Sequence, residues 1–435
     1  MISADGFTAA RVSLPPPIAN TSMSTIRPFK AFRPRPHYAA EVAAKPYDVL
    51  NSDEAREEVK GHPLSFLHVG KPEVDLEPSI DLHDQRVYEK GRDNLQKLIR
   101  DGVLKEDAAP SLYVYAQTMN GRTQYGLVGC ASVEEYWNDI IKKHEHTRKD
   151  KEEDRCNHVR VTNSHSGPIF LTYRDDAEID QIVARIVKET PENDLVAADG
   201  IRHQSWIIND AETIKQIVGR FEAIPFLYVA DGHHRSAAAS IVGRELKNAN
   251  PHHTGNEEYN FFLAVYFPAS HLYIMDYNRV VKDLWGKSKE EFLSAVGKDF
   301  SVAKAAGQVH PAKKGDFGMY LDGNWYTLIA QPALQAETDP VLRLDVSLLQ
   351  NYLLDPVLGI KDPRTEKRID FVGGMRGLGE LERRVNNGEM AVAFSLYPTS
   401  IGELMAIADD GKIMPPKSTW FEPKLRDGLF VHFLS

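Results

Sequence analysis

The sequence predicts an α/β fold, or α+β, built on a mixed sheet flanked by helices. Three observations predict it. Short apolar runs of strand length recur along the chain between segments whose apolar residues follow helical spacing. One such run, 225–230, passes through a glycine turn straight into an alanine-rich helix. The chain is 435 residues long, with 42% hydrophobic and 26% charged residues. That is an ordinary globular composition with enough length to bury a large core without metal or disulfide staples. At roughly 150 residues per domain, two to three domains fit.

Residues 1–22 hold Pro15-Pro16-Pro17 among small polar residues, with no apolar core of a secretion signal. They read as a disordered tail left by an upstream start codon, with a targeting remnant as the alternative. Ordered sequence is expected from Met23. A short strand is expected at 26–31, and Asn51 or Ser52 caps a helix through Glu54 and Glu58. Residues 65–69 read as a strand ending near His68. A helix is expected at 84–100, a strand at 111–117, and a helix at 133–143 with Tyr136, Ile140 and Ile141 on one face.

The polar stretch 144–155 reads as a solvated helix or loop if it carries no chemistry. Strands follow at 168–173, 202–208 and 225–230, with helices at 178–189, 210–220 and 236–248. Further strands fall at 260–267 and 272–277. Beyond them come a helix at 289–296, a hairpin at 319–326 around Asp322-Gly323-Asn324, and a helix at 346–354. A helix at 378–385, a strand at 391–396, a helix at 401–409 and a last segment opened by Pro415-Pro416 complete the chain. The expected organisation is a tail (1–22), a main α/β domain (23–285) and a C-terminal α/β lobe packed on it (286–435).

The formal charge of −10 offers no positive field to a nucleic acid or an anionic membrane. A small phosphorylated ligand needs only a local positive pocket. Cys130 and Cys156 have neither zinc nor redox spacing and read as reduced, packed thiols of a cytoplasmic protein. No apolar run approaches the ~20 residues that span a bilayer.

The chemistry concentrates in Asp231-Gly232-His233-His234-Arg235 followed by Ser236. Strand, tight turn and helix place unpaired N–H groups and the positive end of a helix dipole at the turn. An anion, phosphate above all, binds naturally there. Arg235 can grip it with a bidentate fork. His233 and His234 can donate hydrogen bonds or move protons, and Asp231 can orient a histidine or hold a magnesium-type cation. The plain alternative is an aspartate N-cap beside two satisfied histidines. The adjacent His pair is weak evidence for zinc, because no third ligand stands at a diagnostic spacing.

Further pieces of sequence carry a resemblance. They are Ile26-Arg27-Pro28-Phe29, Pro46-Tyr47-Asp48-Val49-Leu50, His144-Glu145 through Asp154-Arg155, Gly167-Pro168-Ile169-Phe170 and His203. After the DGHHR element come Asp370-Phe371-Val372-Gly373-Gly374 and Pro415-Pro416-Lys417-Ser418-Thr419-Trp420-Phe421. With these the chain from about residue 26 onward resembles a family catalogued as domain of unknown function 1015. The strand–DGHHR–helix element alone also resembles the phosphate-binding element of the partition protein B and sulfiredoxin superfamily, whose free serine kinases bind a nucleotide there. The resemblance implies a partition-protein-B-like region carrying the site, with the C-terminal lobe closing over it. The family's name states no reaction, so any function rests on site chemistry and analogy of fold.

Each remaining motif has two readings. His144 and Glu145, with Thr147, Lys151, Asp154 and Arg155, supply a base, a metal-binding carboxylate and a phosphate clamp, or else a salt-bridged surface helix. Tyr47 and Asp48 form either an active-site corner or a plain turn. His203 and Trp206 are expected on one face of their strand, as core residues before catalytic ones. Lys417, Ser418 and Thr419 either cradle phosphate or dock the C-terminal segment. Gly373-Gly374 lacks the strand-to-helix surroundings of a dinucleotide fingerprint.

The expectation is therefore an enzyme of phosphoryl transfer acting on a nucleotide (ATP or ADP) and a small hydroxyl substrate, serine first. Arg235, Gly232, Ser236 and the helix-mouth amides would hold phosphate. Mg²⁺ would sit on Asp231 or Glu145, and a carboxylate or His233 or His234 would take the hydroxyl proton. Phosphoserine hydrolysis and nucleotide sensing without turnover are the alternatives. Oligomeric state is not legible.

Overall fold

The structure, a computed structural model, describes residues 24–435. The expected tail, residues 1–22, lies outside the described residues. Two sheets organise the rest. The larger has eight strands in the order Ile141–Lys142, Leu227–Asp231, Ile169–Tyr173, Phe261–Pro268, Arg122–Ser132, Leu112–Met119, Arg202–Ile208 and Asn193–Val196. It is mixed. Leu227–Asp231 runs parallel to Ile141–Lys142, and Phe261–Pro268 runs parallel to Ile169–Tyr173, while the other pairs are antiparallel. The second sheet has six strands, all antiparallel, and begins with Tyr277–Val281 in chain order.

Local chemistry explains the elements that hold. Asn51 and Glu54 form a reciprocal capping box, so the helix Ser52–Glu58 starts where the sequence signals it. Asp84 and Asp210 cap Gln85–Arg100 and Ala211–Phe221 one-sidedly, accepting the Arg86 and Thr213 N–H groups. The helices Ala177–Ile186 and Ala211–Phe221 bury Ile179, Ile182, Ile217 and Phe221 against one face of the large sheet. The opposite face, through Tyr113, Tyr115, Val265 and Phe267, joins a core shared with the second sheet and with Phe421, Leu425 and Phe430 of the C-terminal segment. Cys130 and Cys156 are free thiols buried in separate cores. No helix among the described residues is long and apolar enough to cross a membrane.

Five expectations are corrected. The strand expected at 26–31 is only two isolated bridges, Arg27 to Cys130 and Phe29 to Ser111, and a strand forms at Phe32–Pro34 instead. Residues 65–69 are not a strand: Leu67–Gly70 is a single helical turn, entered through Ser65, whose Oγ accepts the Leu67 N–H. A short apolar run does not by itself distinguish the two states. The helix expected at 133–143 ends at Trp137. Asp139 takes a left-handed conformation, and Ile141–Lys142 joins the sheet edge instead. The strand expected at 272–277 is two strands, Ile274–Met275 and Tyr277–Val281. His203 and Trp206 lie on opposite faces of Arg202–Ile208, because an odd spacing on a strand changes sides. Trp206 enters the core under the helices, while His203 stacks on Tyr115.

Candidate functional site

The site begins with a register. Leu227 and Tyr228 pair in parallel with Ile141 and Lys142. The same offset brings His144 and Glu145 alongside Ala230 and Asp231 as both chains leave the sheet. Loops beyond the carboxyl ends of adjacent parallel strands are where such sheets hold ligands. The helix His233–Ala249 starts at once after Leu227–Asp231, three residues earlier than the sequence predicts. Its N-cap is Gly232 at φ 90°, and no side chain caps it. Only glycine adopts that conformation without strain. The positive end of a 17-residue helix therefore opens at the same corner as Glu145.

The polar stretch folds against this corner. Its helix is Lys149–Thr162, which packs on His233–Ala249, and the Arg148 N–H donates to His234 Nε2 at 3.1 Å. The C-terminal segment closes the other side. Met414 donates its N–H to the His144 carbonyl at 2.8 Å, and Lys424 Nζ donates to Asp231 Oδ2 at 2.7 Å. Asp231 Oδ1 accepts the Gly232 N–H at 2.9 Å. The cavity so formed, about 250 Å³, is lined by Tyr47, Asp48, His144, Glu145, residues 231–235, Tyr277, Met414, residues 417–420 and Lys424. It adjoins a larger cleft of about 1040 Å³ that adds Lys151, Asp154 and Arg155.

Most sequence-selected residues thus share one place, but three do not. Thr147 Oγ1 donates to Glu152, Ser236 Oγ donates to the His233 carbonyl, and neither lines the cavity. His203 lies elsewhere, bonded to Tyr115 at 2.7 Å and to Arg426 at 3.2 Å. Arg235 does line the cavity, but its fork is already engaged. Nη1 and Nη2 donate to Asp427 at 2.9 and 3.2 Å. Gly167 makes room for this pair: a Cβ there would stand 2.3 Å from Arg235 Nη1 and 2.5 Å from Asp427 Oδ1. Arg155 is likewise paired, with Asp154, and lies 4.0 Å over the Tyr47 ring. Lys417 makes no ion pair among the described residues. It is exposed, with its left-handed backbone held by Arg279, whose Nη2 donates to its carbonyl at 2.9 Å.

Burial sets the protonation states. Desolvation lowers His233 to about 4, with Asp231 opposing, and drives His144 well below the ordinary histidine range. Both rings are neutral at pH 7. Desolvation raises the Glu145 carboxyl while Lys417 opposes, which suits a proton acceptor. Burial raises Asp427 to about 6 against the pull of Arg235. Burial would also raise Asp231, but Lys424 holds it below its ordinary value. The arrangement combines an uncapped helix mouth, one unpaired lysine and a carboxylate on an open cavity. Chemically it can hold an anion and accept a proton.

Sequence reasoning missed Lys424, Asp427 and Tyr277. The two charges stand with Glu422 and Arg426 in the charge-rich segment Phe421-Glu422-Pro423-Lys424-Leu425-Arg426-Asp427, and their partners Asp231 and Arg235 lie 193 and 192 residues away, where a single sequence does not show them.

The chain belongs to the family described as "Protein of unknown function (DUF1015)", which matches residues 26–347. Comparison with curated proteins finds no match. Among solved structures, a conserved hypothetical protein from Pyrococcus furiosus is similar at 14% identity and a TM-score of 0.33, over 68% of this chain and 93% of that one. A free serine kinase in complex with AMP is similar at 12% identity and 0.34, over 67% and 89%. SbnI with C-terminal truncation from Staphylococcus aureus is similar at 11% identity and 0.37, over 70% and 87%.

Proposed function

We propose that the cavity binds a phosphorylated small molecule, ATP or ADP among the candidates, and catalyses phosphoryl transfer to a small hydroxyl compound. One observation carries the reading: the uncapped N-terminus of His233–Ala249 opens into a cavity shared with Lys417 and Glu145. Phosphoryl transfer depends mainly on fixed positive groups around the phosphate and on positioning. The helix-mouth amides and Lys417 supply the first, and the neutral His233, or Glu145 where it holds no ion, accepts the hydroxyl proton. The resemblance of the DGHHR element makes free serine the acceptor to test first. Mg²⁺ would arrive on the nucleotide's phosphate oxygens, with Glu145 as its protein carboxylate. Asp231 fits that role less well, because one of its oxygens accepts Gly232 and the other Lys424.

A second reading, nucleotide binding without turnover, is favoured by the internal engagement of Arg235 and Lys424, which leaves fewer cations for a transition state. Product analysis separates the readings. The chain is incubated with Mg²⁺ and each pairing of ATP or ADP with serine, and separately with phosphoserine. Phosphoserine formed from nucleotide and serine supports the kinase, and phosphate released from phosphoserine supports hydrolysis. Nucleotide binding with no product supports the sensor. No binding of any phosphorylated compound would end the proposal.

A further inference from the structure

We infer that His144, Glu145 and His233 form a binding site for one divalent transition-metal ion of the zinc, cobalt or manganese kind. One ligand atom from each lies within 4.8 Å of the other two. The two imidazole rings meet edge to face with centroids 4.4 Å apart. Both ring nitrogens of His144 and Nε2 of His233 are buried without a hydrogen-bond partner. The Val229 carbonyl lies near His144 but outside hydrogen-bond geometry. Buried polar atoms are almost always satisfied, and a shared ion taking one nitrogen from each ring would satisfy up to two of these three.

The donor set fits this class of ion. Two imidazole nitrogens and one carboxylate suit zinc and its neighbours, whereas magnesium prefers an all-oxygen shell. Three protein ligands with an open side are the pattern of a reactive site rather than a sealed structural one. The backbone places the ligands. His144 is anchored through its carbonyl to Met414, and His233 through its carbonyl to Ser236. Bonds of ~2.1 Å at tetrahedral angles bring ligand atoms to roughly 3.4 Å of one another. Glu145 supplies that movement: its carboxylate is 3.9 Å from His233 Nδ1 and its side chain is 45% accessible. The open side faces the cavity, where Lys417 also points an unpaired charge.

This site does not rest on the phosphoryl-transfer reading, and its test uses the metal alone. The full chain is stripped with a chelator and titrated with Co²⁺ by visible absorption, then with Zn²⁺ by calorimetry. We expect saturation at one equivalent, with a ligand-field band that Zn²⁺ displaces. Glu145→Gln should weaken binding by at least about tenfold, and His233→Gln should remove the band. Glu145 faces the cavity, so E145Q folds and keeps the test decisive even where a histidine variant does not. Circular dichroism of the metal-free variants verifies the fold. Absence of saturable uptake, or unchanged affinity in E145Q, would overturn the inference. Metal uptake without binding of any phosphorylated compound would sustain it while removing the phosphoryl-transfer reading.

Discussion

Two buried histidine clusters stand near opposite edges of the eight-stranded sheet, and they differ in one respect. His203 has both nitrogens satisfied: Nδ1 meets the Tyr115 hydroxyl at 2.7 Å, and Nε2 accepts from Arg426, which is itself paired with Asp199. His144 and His233 are as deeply buried, yet three of their four nitrogens have no hydrogen-bond partner. A satisfied buried network fixes a structure. An unsatisfied one beside a cavity costs stability, which a fold retains where chemistry uses it. The contrast separates a histidine that holds the C-terminal segment in place from two whose buried nitrogens have no partner. It also sorts the arginines, since Arg235 and Arg426 both clamp that segment through buried ion pairs.

The largest expected effect would come from breaking a clamp. Asp427→Ala leaves the Arg235 guanidinium buried and unpaired, and should cost about 3–5 kcal/mol in a urea titration. A loss below about 1 kcal/mol would show that the segment is held by other contacts. Next, His203→Leu takes one of two partners from the Tyr115 hydroxyl and leaves the Arg426 Nε without its acceptor, and should cost about 1–3 kcal/mol.

The same residue sets an acid response. Desolvation lowers His203 to about 3 in the folded chain, against about 6.5 unfolded. Between those values the unfolded chain binds a proton that the folded chain refuses. Stability is therefore full above pH 6.5 and falls toward pH 3, at up to about 1.4 kcal/mol per pH unit from this group. His203→Gln should flatten that limb relative to wild type; an unchanged pH profile would contradict the assignment. Smallest of all, His144→Leu should change stability by no more than about 0.5 kcal/mol, or raise it, because no hydrogen bond is lost. A loss as large as that of His203→Leu would erase the distinction between the clusters.

Much of this was legible in the sequence because it is local. The caps at Asn51, Asp84 and Asp210 and the strand–glycine–helix unit at Gly232 each depend on residues within a few positions. The hairpin joining Leu112–Met119 to Arg122–Ser132 is just as local, set by Asn120-Gly121, both at positive φ. What depends on distant parts of the chain was not. The stretch 144–155 has two sequence readings because its fold depends on a parallel pairing with residues 86 positions later. Arg235 looks like a free phosphate clamp in the sequence because its partner, Asp427, lies 192 residues away. The meeting of His144 with His233 was invisible for the same reason: the two come together only through the sheet.

Calorimetric titration of the wild-type chain and of Lys417→Met with ATP, ADP and phosphoserine tests the central claim most directly. Lys417 is exposed and unpaired, so its replacement should leave stability within about 0.5 kcal/mol. The account predicts saturable binding of at least one of these compounds to wild type, weakened roughly tenfold in the variant. No heat from any of them with wild type, or equal affinity in the two proteins, would contradict the assignment of this helix mouth and its lysine as a phosphate site.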